Sequence, residues 1–479
     1  METFKLLGHK DVDYIYNKSI SILSKKGVKI THANALSILE KAGAAVDFKN
    51  QMVYFSRDII ERALAEVPEI VTLTASESAY DIVISRSQNG LYSRTNTGAC
   101  YYVDIDGEGY RDIKLSDIAE LGQLVDALQF IDFCAYQVPA DAPPQSADIY
   151  ALKTLLENTS KHVWVQPYSM ESVRYLIELS LARCGHQASS GRRPPISLIA
   201  CSLTPLCFKD LDMEIILQGC KFGIPIHLCS LPTSGGTAPF TVAGFVLMAS
   251  TEILAMAVIA QLIKSGTPVI ATPLSFTLDM MTTMACQSTV EAILGAAAST
   301  QFIKSAYNLP THTYGFGSDT AITDGQGIAE RTLLGAVVAL SGVDIMGGAG
   351  QVETAKTLDP VTLVIDNELA GMSKILRKEI TVDDEALALD DIFELSFGND
   401  QFLTREHTLR HCRETFRPIN FLHFNREIWL AKGGKEFYSR ALEKYRAMKK
   451  DFGCKPLTKE VKQDMENIIA EADKHLCRI

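Results

Sequence analysis

Apolar and β-branched positions group into eight short runs between residues 130 and 372: Phe130–Gln137, His162–Tyr168, Ile196–Leu203, Ile224–Ser230, Thr267–Phe276, Thr311–Asp319, Val343–Gln351 and Thr362–Glu368. Most are followed by a stretch with apolar spacing near 3.6, including Met170–Arg183, Leu211–Phe222, Val242–Lys264, Thr283–Ala306 and Ile328–Leu340. Strands alternating with helices imply βαβ units and a parallel sheet. Eight such units in about 240 residues predict a (β/α)8 barrel, whose sites lie on the loops at the C-terminal ends of the strands. Glycines 223, 266 and 342 stand where three of the helices must end.

The flanks read differently. Val12–Lys25, Ala33–Ala42 and Arg57–Val67 (capped by Ser56) have helical spacing, whereas Val71–Leu73, Ile82–Ser85, Leu91–Arg94 and Cys100–Ile105 alternate, with Asp106–Gly107 as a hairpin turn. The expected organisation is an N-terminal helical and β-hairpin cap over 1–128, with Ser116–Ala127 as a helix leading into the barrel. The barrel follows over 129–380, then a C-terminal helical extension packed on it over 381–479.

Composition narrows the classes. A net charge of −11 opposes a nucleic-acid or anionic-membrane surface. Val242–Ile263 is apolar enough to suggest a membrane span, but Ser250, Thr251, Glu252 and Gln261 interrupt it, and a buried barrel helix is expected. The first residues lack a basic segment followed by an apolar one, so no signal peptide is expected. Eleven cysteines, scattered and without a CxxC pair, suit free thiols in the cytoplasm.

Candidate chemistry clusters at the strand ends. After the sixth run comes Tyr314-Gly-Phe316-Gly317-Ser318-Asp319, then Asp324-Gly-Gln326-Gly before a helix. Asp319 and Asp324 are candidate catalytic carboxylates as well as candidate helix caps. The seventh run ends Gly347-Gly348-Ala349-Gly350-Gln351-Val352-Glu353, adding Glu353 as a third carboxylate above an open mouth. No Lys-Ser/Thr follows the glycines, which excludes a P-loop. Gly235 and Gly236 form a second small-residue loop, and the eighth run offers Glu368. The aromatics Tyr136, Trp164, Tyr168, Phe276, Tyr314 and Phe316 fall at or near the strand ends, the composition of a quaternary-ammonium cage. Cys134, Cys201 and Cys229 lie within runs one, three and four and leave open a zinc site of the methylthiol or methanol demethylase kind. His162, His227 and His312 read chiefly as core or edge histidines.

With these residues in place, the chain resembles the trimethylamine methyltransferase superfamily of corrinoid-dependent methyltransferases. The resemblance runs through Tyr102-Val-Asp104-Ile-Asp106 with Arg111 and Asp117, and through Gly317-Ser-Asp319 with Asp324-Gly-Gln326-Gly-Ile-Ala-Glu330. It continues in Gly398-Asn-Asp-Gln-Phe402-Leu403 with His407-Thr408, then Trp429 and Gly433-Gly434. It implies a barrel that passes a methyl group from a methylated amine to the Co(I) of a corrinoid. That corrinoid (cobalamin) is supplied by a small partner protein, with none tightly bound to this chain. Trimethylamine enzymes proper carry pyrrolysine, at a position falling within Asp324–Gly327, where this chain has ordinary residues. The resemblance therefore points to quaternary amines such as glycine betaine, proline betaine or carnitine.

On that reading Asp324, Asp319 and Glu353 are the catalytic candidates. Tyr314, Phe316, Tyr136, Trp164, Tyr168, Phe276, Arg94, Gln326 and Glu368 would bind substrate, with Arg94 of the hairpin cap as donor to a substrate carboxylate. Gly235, Gly236, Gly317, Gly348 and Gly350 would face the corrinoid, and no metal site is assigned. A homo-oligomer without nucleic-acid or membrane partners is expected. The alternatives are a zinc-dependent methylthiol or methanol:corrinoid methyltransferase and a non-catalytic quaternary-amine binding protein.

Overall fold

A computed structural model describes residues 4–477 apart from 89, 108, 186–190, 396, 399–400 and 454–455. Asn399 and Asp400 of the C-terminal motif lie outside the described residues. Eight parallel strands form the barrel: β1 (Tyr92–Thr95), β2 (Phe133–Ala135), β3 (His162–Val165), β4 (Ile196–Cys201), β5 (Ile226–Ser230), β6 (Val269–Pro273), β7 (His312–Tyr314) and β8 (Ile345–Ala349). A parallel bridge between Ala271 and Thr311 joins β6 to β7 and closes the ring. Each strand is followed by a helix: α1 (Leu115–Ala127), α2 (Ala147–Asn158), α3 (Met170–Cys184), α4 (Asp210–Phe222), α5 (Val242–Ile263), α6 (Val290–Tyr307), α7 (Gly325–Leu340) and α8 (Pro360–Leu376). The fold is a (β/α)8 barrel.

The strand count is as expected, but its frame shifts by one. Thr362–Glu368, read as the eighth strand, lies inside α8. Asp359 caps that helix by accepting from Val361 N, and Pro360 sits at its first position, where a missing N–H costs nothing. Its β-branched residues are buried because α8 is covered by the barrel on one side and by the helix Phe437–Lys449 on the other. The first strand is instead Tyr92–Thr95, inside the segment assigned to the hairpin cap. It pairs with β8 through Tyr92 and Ile345 and with β2 through Arg94 and Phe133. The barrel thus begins at Tyr92 rather than 129, and the helix over 115–127 is its first outer helix.

The remaining N-terminal elements close the ends. The two-stranded ribbon Ile70–Leu73 and Ile82–Ser85 brings the Thr74 carbonyl to the first residue of β3, at the N-terminal end of the barrel. At the other end, the hairpin Tyr101–Asp104 and Gly109–Asp112 pairs with Thr357–Leu358 of the loop after β8. Arg111 bonds both Asp104 and Asp117, tying that hairpin to α1. The apolar α5 packs against α6 and the N-terminal helices His9–Lys25 and Arg57–Ala65, and most of its side chains are buried. It is a core helix. Its Glu252 accepts from Ser202, Thr204, Ser230 and the Leu206 N–H, holding the loop after β4 and the end of β5.

Candidate active site

Side chains two residues apart on a strand share a face, so each inward strand supplies stacked layers. On alternate strands β3, β5 and β7 the sequence repeats one pattern: His162-Val-Trp164, His227-Leu-Cys229 and His312-Thr-Tyr314. The histidines form a deeper layer and Trp164, Cys229 and Tyr314 the layer nearer the C-terminal mouth. Arg94 of β1 enters beside them, wholly buried. Its guanidinium carbon lies 4.4 Å from the Trp164 ring centroid and 5.9 Å from that of Tyr314.

The polar atoms of Arg94 divide into tied and free. Nε donates to His312 Nε2 (2.8 Å) and Nη1 to the Thr95 carbonyl (2.8 Å). Nη2, beside Tyr314, makes no hydrogen bond of ordinary geometry, and neither does the buried Trp164 Nε1. Gly347 leaves the room: a Cβ there would sit 2.8 Å from Arg94 Cζ and Nη2. The β1–β8 register slips at this point, between Met346 and Ala349. Burial pushes the Arg94 pKa down to about 10, so it is a cation at neutral pH. Burial first, then the Arg94 charge, holds His227 and His312 well below the usual imidazole range; burial lowers His162 to about 4. All three are neutral, and Arg94 is a fixed positive charge in the barrel interior.

The predicted aromatics divide around this centre. Phe276 packs edge-on to Tyr314 at 6.1 Å, and Tyr136 edge-on to Tyr168 at 6.0 Å. Tyr136 is fully buried with its hydroxyl on the Gln166 carbonyl, whereas Tyr168 is 36% exposed. Phe316 is buried, and its carbonyl accepts from Gln351 Nε2 (2.7 Å). Gln351 Oε1 and Gln287 Nε2, joined through their other amide atoms, are buried without partners. Gly317 and Gly348, with φ of 123° and 97°, give space to Gln351: a Cβ would lie 1.9 Å and 2.7 Å from its Nε2. Gly350 packs on Leu363 and Leu358, while Gly235 and Gly236 stay exposed in the loop after β5.

The predicted carboxylates hold loops. Asp319 accepts from the Gln287 and Ser288 N–H groups and from Thr354 Oγ1, joining the loops after β6, β7 and β8. Glu353 accepts from Thr357 Oγ1, and its own N–H reaches the Thr320 carbonyl. Asp324 is the exposed N-cap of α7, accepting from the Gln326 and Gly327 N–H groups beside Phe421, Phe437 and Tyr438. Gln326 bonds Glu330 on the helix surface. Glu368, in the middle of α8, accepts from the Ile419 and Asn420 N–H groups and pairs with Lys444, anchoring the C-terminal extension. Asp324, Gln326 and Glu368 therefore stand apart from the Arg94 cluster.

Of the three strand cysteines, Cys201 and Cys229 are opposite in register, whereas Cys134 Sγ lies against the His162 carbonyl and near Lys161 and Asp126. The three do not converge. Among the described residues no group of three His, Cys, Asp or Glu side chains is placed to hold a metal ion. Reading the sequence by apolar runs passed over Ser197 and gave the histidines to the core. The signal that could have found them is the His-x-aromatic or His-x-Cys repeat on alternate strands.

Comparison with known proteins bears on this centre. The sequence model of the family described as trimethylamine methyltransferase (MTTB) matches residues 1–476. Trimethylamine methyltransferase MttB of Desulfitobacterium hafniense is 29% identical over 99% of this chain and 95% of its own length. A glycine betaine methyltransferase of the same species is 24% identical over 99% of this chain and 98% of its own. Among solved structures, the Methanosarcina barkeri monomethylamine methyltransferase MtmB superposes with a TM-score of 0.54 at 13% identity, covering 95% of this chain and 89% of that one, a likeness of fold. A barrel centred on a buried arginine among aromatics thus comes with a match along almost the whole sequence, and the chain belongs to the trimethylamine methyltransferase family.

Proposed function

We propose that the protein takes a methyl group from a quaternary amine bearing a carboxylate, of the glycine betaine, proline betaine or carnitine type, and passes it to Co(I) of a corrinoid carried by a separate small protein. The observation that supports this most is Arg94, buried and charged, with Nη2 unpaired. A fixed cation at the base of the site repels a simple methylammonium ion. It calls for a ligand with an anionic end, which a guanidinium edge binds strongly. The trimethylammonium end then lies among Tyr314, Phe276 and Trp164, where each ring contributes about 0.5–2 kcal/mol of cation–π attraction. Similarity to a glycine betaine methyltransferase points the same way.

The chemistry needs little more from this chain. A quaternary nitrogen leaves as a neutral amine when a methyl departs, so no protonation is required. Neutral histidines and carboxylates committed to loop contacts are compatible with that. The corrinoid, when docked, supplies the nucleophile; the chain must hold one methyl in line and exclude water. The loops after β5 and β6 present Gly235, Gly236, Phe240, Met280, Met281 and Met284 exposed at the rim, which suits approach of a broad, flat group. Free thiols at all ten described cysteines suit a cytoplasmic enzyme.

The test is a panel of glycine betaine, proline betaine, carnitine, choline and trimethylamine with the cognate Co(I) corrinoid protein, read by the methyl-Co(III) spectrum. Transfer from a carboxylated quaternary amine is expected, with the KM raised at least tenfold in Arg94→Lys. Preference for choline or trimethylamine overturns the carboxylate assignment. Binding of a betaine without transfer leaves the non-catalytic reading, and stoichiometric zinc in the purified protein favours the thiol-based one.

A further inference from the structure

The contacts of Arg94 continue beyond His312. His312 Nδ1 lies 3.1 Å from His227 Nδ1, and His227 Nε2 lies 3.1 Å from Ser197 Oγ. Ser197 Oγ is 2.8 Å from His162 Nε2, and His162 Nδ1 is 2.7 Å from the Thr74 carbonyl. The chain therefore runs from β1 through β7, β5, β4 and β3 to the ribbon that closes the N-terminal end of the barrel. Every side chain in it is wholly buried.

Its two ends fix its direction. Arg94 Nε can only donate, and the Thr74 carbonyl can only accept. His312 Nε2 must then accept, leaving its proton on Nδ1 to donate to His227 Nδ1. His227 carries its proton on Nε2 and donates to Ser197. The Ser197 hydroxyl donates to His162 Nε2, and His162 donates from Nδ1 to Thr74. Five contacts use five hydrogens, with none left over. A second proton on His227 or His312 would set two donors face to face.

From this geometry we infer that His312, His227, Ser197 and His162 are positioning residues: they hold the Arg94 guanidinium by Nε, in one orientation, with Nη2 as its open edge. The aromatic contacts alone would let the guanidinium turn in the plane of the Trp164 ring. The Thr95 carbonyl holds it at Nη1, and the chain adds the second point, at Nε, without adding a second positive charge beneath a cationic substrate. Rigid presentation of a planar fork lowers the ordering cost of binding a carboxylate. The inference rests on the assignment of Arg94 to substrate, but the order of the protons does not depend on it.

The test has two arms. In 15N-histidine-labelled protein without substrate at pH 7.5, imidazole nitrogen spectra should show His312 protonated on Nδ1, His227 on Nε2 and His162 on Nδ1. The opposite tautomer or a charged imidazole at any of the three overturns the inference, whatever the substrate panel gives. In the second arm Ser197→Ala cuts the chain where a small side chain can be lost without disturbing the fold, and Ser197→Thr restores the hydroxyl. Ser197→Ala should speed exchange of the His227 Nε2 proton at least tenfold. It should also raise KM for a carboxylated quaternary amine about tenfold, with kcat changed less than threefold, and Ser197→Thr should recover both. Unchanged exchange and KM in Ser197→Ala overturn the inference, as does a loss of kcat with KM intact.

Discussion

Lowering the pH from 7.5 to 5.0 should cost this protein several kcal/mol of stability, because three imidazoles are held neutral where no proton can follow them. A free histidine titrates near 6.5, whereas burial lowers His162 to about 4 and holds His227 and His312 well below the ordinary value. The unfolded chain then takes up protons that the native state refuses, so stability falls as pH drops below about 6.5 and levels off once the folded-state values are passed. At pH 5.0 His162 alone contributes about 1.5 pH units of linkage, or about 2 kcal/mol, and His227 and His312 add to it in the same direction. Against the net stability of an ordinary domain, about 5–15 kcal/mol, that is a substantial share. Asp132, Asp148, Asp212, Asp359 and Asp366 are shifted up, mainly by burial, and oppose the loss at lower pH, where the folded state takes up their protons first. The assay is urea unfolding followed by tryptophan fluorescence at intervals from pH 8 to 5, in wild type and His227→Gln. The variant should be less stable at pH 7.5, yet its stability should fall less steeply between pH 6.5 and 5, by about one proton, or about 1.4 kcal/mol per pH unit. Equal slopes in the two proteins refute the reasoning.

Two further changes test how the mouth and the extension are held. Gly317→Ala places a methyl 1.9 Å from Gln351 Nε2 at a φ of 123°, so a loss of about 2–4 kcal/mol is expected by thermal unfolding, with an unchanged melting temperature counting against the packing described. Glu368→Ala leaves the Ile419 and Asn420 N–H groups and Lys444 without their carboxylate; faster limited proteolysis between residues 377 and 436 is expected, at a cost of about 2–3 kcal/mol.

Seven of the eight strands were legible because their runs are short, buried on both faces and rich in apolar or β-branched residues, as a barrel strand covered by helices requires, even where histidines face inward. The helices between them followed from spacing and from glycines such as Gly223, which is left-handed at the end of α4. The error at Thr362–Glu368 came from composition: α8 is buried on two sides, so its β-branched run lacks the polar stripe that marks a surface helix. The sequence nonetheless held the correction. The twelve residues 350–361 between the end of β8 and that run contain no helical spacing to serve as a crossover helix, and Asp359-Pro360 is a helix start.

Leu91–Arg94 reads as a strand and Arg94 as a substrate ligand, yet the pattern assigns both to the hairpin cap rather than to the barrel. Tyr92-Ser-Arg-Thr95 does not read as an apolar run because its buried positions include Ser93, Arg94 and Thr95, all wholly enclosed. A core strand carrying a charge violates the rule by which core strands are found, and such a violation persists only where surrounding groups satisfy it. Here they are His312 at Nε, the Thr95 carbonyl at Nη1, and the Trp164 face. The polar character that kept β1 out of the barrel pattern is therefore what the chain from Thr74 to His312 supports. The same reasoning explains why Asp319, Asp324 and Glu353 were conspicuous in the sequence: loops between strands and helices are rich in carboxylates that cap and tie, and their number says little about chemistry. An arginine buried in a core carries more information than any of them, and its one unpaired atom, Nη2 beside Tyr314, is where the proposed carboxylate would bind.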